Sequence, residues 1–222
     1  MMRLLRISMV VVTGIIMLLG TSFEARAESL TFIAESTFDS NDEGWIVQDL
    51  LAECATGFTF TPDYYSTGGN PGGYISEDDP TTNSFFFSAP AKFLGNMEIA
   101  YDGCLNFDWI ATGTGAIISV TADVVLIGAG LAIYIDTPSP AKTWTTQTAC
   151  FWVEAGWVKC NGDTVVTEEE MRSVLASLDM LLIRGDHITE GADTGGLDNV
   201  KLRLSCIPVE ESSWGRIKAL YR

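Results

Sequence analysis

Apolar positions along this chain recur mostly with the period of a strand. Val200, Leu202 and Leu204 alternate with Asn199, Lys201 and Arg203, so one face should meet a core and the other water. Leu105, Phe107 and Trp109 alternate with Asn106 and Asp108 in the same way. Shorter apolar runs at Ile117 to Thr121, Val124 to Ile127, Leu131 to Ile135 and Thr145 to Val153 predict four more strands. Gly128-Ala-Gly130 suits a tight hairpin between the second and third of these. Ser84 to Ser88 predicts a short aromatic strand, followed by a turn at Pro90. Leu181 to Ile188 predicts another, joined to the last strand by a glycine-rich acidic loop. Residues 61–83 are rich in Gly, Pro, Asp, Asn, Ser and Thr, which predicts mostly loop with a short strand around Gly73-Tyr-Ile75.

One segment carries a helical period instead. Met171, Val174, Leu175 and Leu178 recur at i, i+3, i+4 and i+7, and Thr167 with Glu170 three residues on spells a capping box. Glu168 to Glu170 crowd the first turn, where the helix dipole favours negative charge. From Ser36 to Val47 a polar loop runs between two apolar anchors, Phe38 and Trp45. Many short strands, glycine-rich turns and one short helix predict an all-β fold, a β-sandwich or jelly roll.

The first residues read differently. Arg3 and Arg6 precede an apolar run from Ile7 to Leu19, and Ala25-Arg-Ala27 is a small-x-small cleavage site. This pattern predicts a secretory signal peptide over residues 1–27, its apolar run falling short of the roughly 20 residues that span a bilayer. One domain is expected over residues 28–206, then a basic tail over 207–222 with Trp214, Ile217 and Tyr221 at helical spacing. Residues 1–27 hold three of the 13 basic and one of the 29 acidic residues, leaving 10 against 28, a net of −18. Such a surface repels nucleic acid and anionic membranes. All five cysteines lie beyond residue 27; an exported chain should pair them, and Cys150 with Cys160 is the closest pair in sequence.

Several segments form an ordered series: Gly69-Asn-Pro-Gly-Gly-Tyr-Ile75, Phe86-Phe-Ser-Ala-Pro-Ala-Lys-Phe-Leu-Gly95, Leu105-Asn-Phe107 and Asp123-Val-Val-Leu-Ile-Gly128. Thr143-Trp144, Val174-Leu175-Ala176, Leu182-Ile-Arg184 and Gly196-Leu-Asp-Asn-Val200 continue it. Together, in this order, they resemble the laminin B domain, also called laminin IV type A. The resemblance implies a jelly-roll β-sandwich related to galactose-binding-like modules, non-enzymatic and structural or adhesive.

Candidate sites follow from that topology. First and last strands of a jelly roll lie side by side, where a structural calcium could be held by Asp39 and Asp42 on one side and Asp193 and Asp198 on the other. The plainer reading is that Asp39 and Asp198 cap turns by accepting backbone amides. Sugar binding needs exposed rings, and Tyr64 and Tyr65, adjacent in a polar segment, are the candidates. Arg184-Gly-Asp186 spells an integrin-type tripeptide, a match that chance produces often. His187 is the single histidine and no G-x-S-x-G accompanies it, which argues against a nucleophilic triad. A hydrolase built on two carboxylates is a remote alternative, because acid count alone is not a site. The expectation is therefore a secreted, non-catalytic adhesion or structural module meeting an extracellular glycan or protein surface, or else a carbohydrate-binding module with a defined sugar site.

Overall fold

A computed structural model describes residues 32–50, 54, 57–79, 83–119, 121–162, 164–189 and 193–205. The expected signal peptide and the tail at 207–222 lie outside the described residues. In chain order the strands are β1 (Phe32–Ser36), β2 (Ile46–Leu50), β3 (Phe58–Phe60), β4 (Asp63–Gly69) and β5 (Gly72–Asp78). Next come β6 (Ser84–Ser88), β7 (Cys104–Gly113), β8 (Ala116–Ile117), β9 (Val124–Gly128) and β10 (Leu131–Ile135). The remainder are β11 (Thr145–Cys150), β12 (Val158–Lys159), helix α1 (Glu168–Ala176), β13 (Leu178–Arg184), β14 (Ile188–Thr189) and β15 (Asp193–Arg203).

All of these strands except β8 and β14, which pair separately, form the two antiparallel sheets of a jelly-roll sandwich. One has the order β11-β7-β15-β5-β4, with β1 also paired to β15; the other runs β12-β10-β9-β13-β6-β2-β3. The 11-residue β15 organises the first sheet. One edge of it pairs with β7, and the other is shared between β5 and β1. First and last strands therefore lie side by side, with Ser36 opposite Val200.

Facing side chains make one core. Leu105, Phe107, Trp109, Leu197 and Leu202 come from the first sheet, and Phe85, Phe87, Val124, Leu126, Leu181 and Ile183 from the second. Both faces of the second sheet are covered, because Phe86, Val125, Leu182 and Tyr134 bury a second cluster on its far side. That is why three consecutive phenylalanines in β6 are all buried. The capping box forms: Thr167 Oγ1 accepts from the Glu170 amide, and the Glu170 carboxylate accepts from the Thr167 amide. Met171, Val174 and Leu175 are buried on one helix face, as the period predicts. Ala129 and Gly130, with φ of +51° and +74°, make the tight β9–β10 turn that the glycines predict. Phe38 and Trp45 are buried anchors of their loop, with ring centroids 6.2 Å apart.

Three expectations need correction. Residues 61–83 hold a hairpin, β4–β5, rather than mostly loop. β4 is almost wholly exposed, so its ladder is held by pairing with β5 and its sequence carries little apolar signal. The run at Ile117 to Thr121 contributes only the two-residue β8, paired with β14. Cys160 bonds to Cys54, not to Cys150. The chain crosses from the first sheet to the second between Cys150 and Cys160, with Trp157 buried in between. Cys150 instead sits opposite Cys104, Sγ to Sγ 3.9 Å, as a free thiol, while Cys104 is itself disulfide-bonded.

Peptide mapping without reduction should recover a Cys54–Cys160 crosslink and an alkylated Cys150; a Cys150–Cys160 peptide would contradict this pairing. Because the crosslink closes a separation of 106 residues, the C54S/C160S variant should lose about 2–4 kcal/mol of unfolding free energy in denaturant titration. Thr167→Ala should cost about 1 kcal/mol in the same measurement.

Candidate functional site

The face of the first sheet turned away from the core carries the polar positions of β7 and β15. Alternation puts Asn106 and Asp108 of β7 there, beside Lys201 and Arg203 of β15. A bulge interrupts the β15–β7 register between Asp198 and Lys201, with Asn199 in the left-handed region at φ +50°. The extra residue lets Leu197 and Val200 both point inward, so Asp198 and Asn199 reach the same outer cluster.

The tip of the β4–β5 hairpin folds onto that cluster. Asp198 accepts the Asn70 amide at 2.6 Å and the Asn199 amide at 2.6 Å. Asp108 accepts Thr146 Oγ1 at 2.5 Å, Asn199 Nδ2 at 3.0 Å and Asn70 Nδ2 at 3.3 Å. Asn199 Nδ2 also donates to the Asn70 carbonyl at 2.7 Å. Such close approach requires glycine in the hairpin: a Cβ on Gly69 would lie 2.5 Å from Asp198 Oδ2, and one on Gly73 would lie 2.1 Å from the Phe38 carbonyl. Beside the tip opens a cleft of about 250 Å³ lined by Asn70, Asn106, Asp108, Thr146, Lys201 and Arg203 among others. On the hairpin itself Tyr65 is 45% exposed and stacks on Tyr74 at 5.0 Å. Tyr74 meets Trp144 edge-on at 5.3 Å, and Trp144 Nε1 donates to the Gly68 carbonyl at 2.8 Å.

The expected site residues divide on this geometry. Tyr65 presents a ring to solvent, whereas Tyr64, its neighbour on an alternating strand, packs against the core. Among the described residues no three acidic, histidine or cysteine side chains gather as a candidate metal cluster, and each of the four aspartates makes contacts of its own. Asp198 holds the hairpin. Asp193 accepts the His187 and Ile188 amides. Asp39 accepts Thr37 Oγ1 and Asp42 accepts the Gly44 amide. Arg184 is buried, its guanidinium donating to Ser84 Oγ and the Thr121 carbonyl over the Phe86 ring. A Cβ on Gly185 would meet the Phe85 ring at 2.0 Å, so Arg184-Gly-Asp186 is packed interior and no adhesive loop. His187 is buried with its ring 4.5 Å from that of Trp109.

With this architecture in place, comparison with known proteins becomes informative. A family model for laminin B (Domain IV) matches residues 86–213. The chain belongs to the laminin B family. Its domain is 37% identical over 128 residues to laminin subunit gamma-2 of Equus caballus, covering 56% of this chain and 10% of that protein. To laminin subunit gamma-1 of Danio rerio it is 28% identical over 174 residues, covering 75% of this chain and 10% of that protein. The chain thus spans about a tenth of the length of these relatives. Among solved structures, the L4b domain of human laminin alpha-2 superposes with a TM-score of 0.63 at 13% identity, over 79% of this chain and 98% of that one. This laminin B domain shares its sandwich with L4b.

Burial raises the pKa of four of its acids. It pushes Asp198 up to about 6, Asp123 to about 6, and Asp193 and Glu77 to about 7, with nearby Asp108, Asp136, Asp186 and Asp63 adding to the respective shifts. A carboxyl raised in the fold holds its proton more tightly than in the unfolded chain. Its contribution to stability is fully present below the ordinary value near 4 and is lost as pH rises through the folded value. Burial pushes His187 down to about 3, so its contribution has the opposite sign and is lost as pH falls below about 6.5. Four raised acids outweigh one histidine between pH 8 and 5. Tm from thermal unfolding should therefore rise on acidification over that interval and fall again below about pH 4; a Tm that drops steadily from pH 8 would contradict the buried acids.

Proposed function

We propose that this laminin B domain is an exported, non-catalytic module that binds an extracellular glycan on the outer face of its first sheet. One observation carries the reading: an exposed ring, Tyr65, sits on the hairpin whose tip lines a cleft walled by amide, hydroxyl, carboxylate and cationic side chains. Apolar ring faces and convergent polar groups are what a sugar's two kinds of surface require. Stacking of Tyr65 on Tyr74 pre-sets the ring orientation, so less freedom is lost on binding. The non-catalytic assignment rests on family membership together with the engagement of Asp108 and Asp198 in hydrogen bonds that hold the hairpin. The arginine-flanked apolar run before Ala27 supports export.

A second reading has its own observation. β3 is the edge strand of the second sheet, and it exposes Phe58 at 64% and Phe60 at 39%. An edge carrying apolar rings, with no further strand beyond it among the described residues, suits strand addition by a protein partner.

Affinity electrophoresis through gels containing different polysaccharides separates the two. Under the glycan reading at least one polymer retards the protein, and Tyr65→Ala weakens that retardation about fivefold, the equivalent of about 1 kcal/mol, with an unchanged Tm. If no polymer retards it, while Phe58→Ser abolishes capture of a protein ligand, the edge-strand reading takes its place.

A further inference from the structure

The cleft's charge points to a narrower ligand class, an inference that rests on the glycan reading above. Beyond residue 27 the chain has only 10 basic side chains against 28 acidic ones, yet two of the ten, Lys201 and Arg203, line this one cleft. Among the described residues neither makes a salt bridge; the three ion pairs there use Lys92, Lys159 and Arg172. Both cations lie instead over the Phe32 ring, at 6.0 Å and 5.1 Å. Arg203 Nε is buried, and among the described residues it has no hydrogen-bond partner. A guanidinium nitrogen out of water and unpaired is unfavourable unless an acceptor arrives.

Position along β15 gives the cleft a polarity. Asp198 lies opposite Asp108 at one end, Lys201 opposite Asn106 further along, and Arg203 opposite Cys104 at the other. With strand residues about 3.3 Å apart, the acidic and basic ends stand roughly 13 Å from one another. Asp108 and Asp198 would repel a charge placed at their end, whereas Thr146, Asn70 and Asn199 beside them suit hydroxyls. A ligand that satisfies both ends carries hydroxyls at one and a single anionic group at the other. Its size is bounded by about 250 Å³, slightly below the range of whole small-molecule pockets, which fits a short segment of a polymer.

We infer that the cleft binds a uronic-acid-containing saccharide, its carboxylate received by Arg203 and Lys201 and its hydroxyls by Asn106, Asn199, Thr146 and Asp108. Arginine pairs with a planar carboxylate through two parallel hydrogen bonds. A neutral sugar would offer neither cation a carboxylate. A densely sulfated chain, with more charge per sugar than a polyuronate, would meet stronger long-range repulsion from a protein of net −18 beyond residue 27.

The test turns on one pair of polymers that differ only in charge, polygalacturonate and its carboxyl-reduced form. The purified protein is run through gels containing polygalacturonate, alginate, carboxyl-reduced polygalacturonate, a neutral β-glucan or heparin. The expected result is retardation by at least one polyuronate, a Kd at least tenfold weaker for the carboxyl-reduced polymer, and weakening with added salt. Arg203→Gln should remove the preference for the acidic polymer, and Arg203→Lys should keep much of it. Thermal unfolding of both variants checks that the fold is intact, and Lys201→Gln provides an independent variant should Arg203→Gln fail to fold. Equal retardation by acidic and reduced polymers, unaffected by either charge removal, would overturn the uronate assignment and leave the glycan reading standing. Heparin bound more tightly than both polyuronates would also overturn it. No retardation by any polymer would overturn both.

Discussion

The first sheet depends on one strand being paired along both edges. β15 is bonded by β7 on one side and by β5 and β1 on the other, so its removal would leave β1 without a partner and separate β4–β5 from β7–β11. Everything on the outer face inherits its place from this strand. The bulge at Asn199 is the finer constraint. It keeps Leu197 and Val200 in the core while turning Asp198 and Asn199 toward the hairpin tip. A regular strand would have sent one of the two apolar residues outward.

Asp198 shows how structure and site are joined. Its carboxylate is fully buried and accepts two backbone amides, which satisfies it and fixes the β4–β5 hairpin over the sheet. The fixed hairpin then supplies both the Asn70 edge of the cleft and the Tyr65 platform. Burial nonetheless raises the proton affinity of Asp198 and of three other acids, so an acidic domain carries part of its polar interior in groups that favour mildly acidic surroundings. Burial acts on His187 with the opposite sign, because packing against Trp109 disfavours its charged form.

Much of this architecture was legible in the sequence, because strand period and helix capping are local. Alternation at Leu105 to Trp109 and Val200 to Leu204, the Thr167–Glu170 box and the Ala129–Gly130 turn all concern residues within a few positions of one another. The ordered series of segments resembling a laminin B domain likewise pointed to the family. Local signal failed where pairing rather than burial makes the strand, as in β4. It also failed where proximity in sequence is not proximity in space: Cys150 and Cys160 lie ten residues apart but on different sheets. Tyr64 and Tyr65 looked equivalent, and strand alternation sent one to the core.

What the sequence determined by itself was the strand pattern, the capped helix, the acidic balance and the polar faces of two separate strands. Only the tertiary structure decided that those two faces are neighbours, since β7 and β15 are some ninety residues apart along the chain and adjacent across the sheet. It also decided what Asp198 holds, since its carboxylate accepts the amide of Asn70 from the tip of a distant hairpin. The physical reason is the same in both cases. Periodicity states which way a side chain points, but which strand lies beside it is fixed by long-range pairing, and that depends on how the whole core closes.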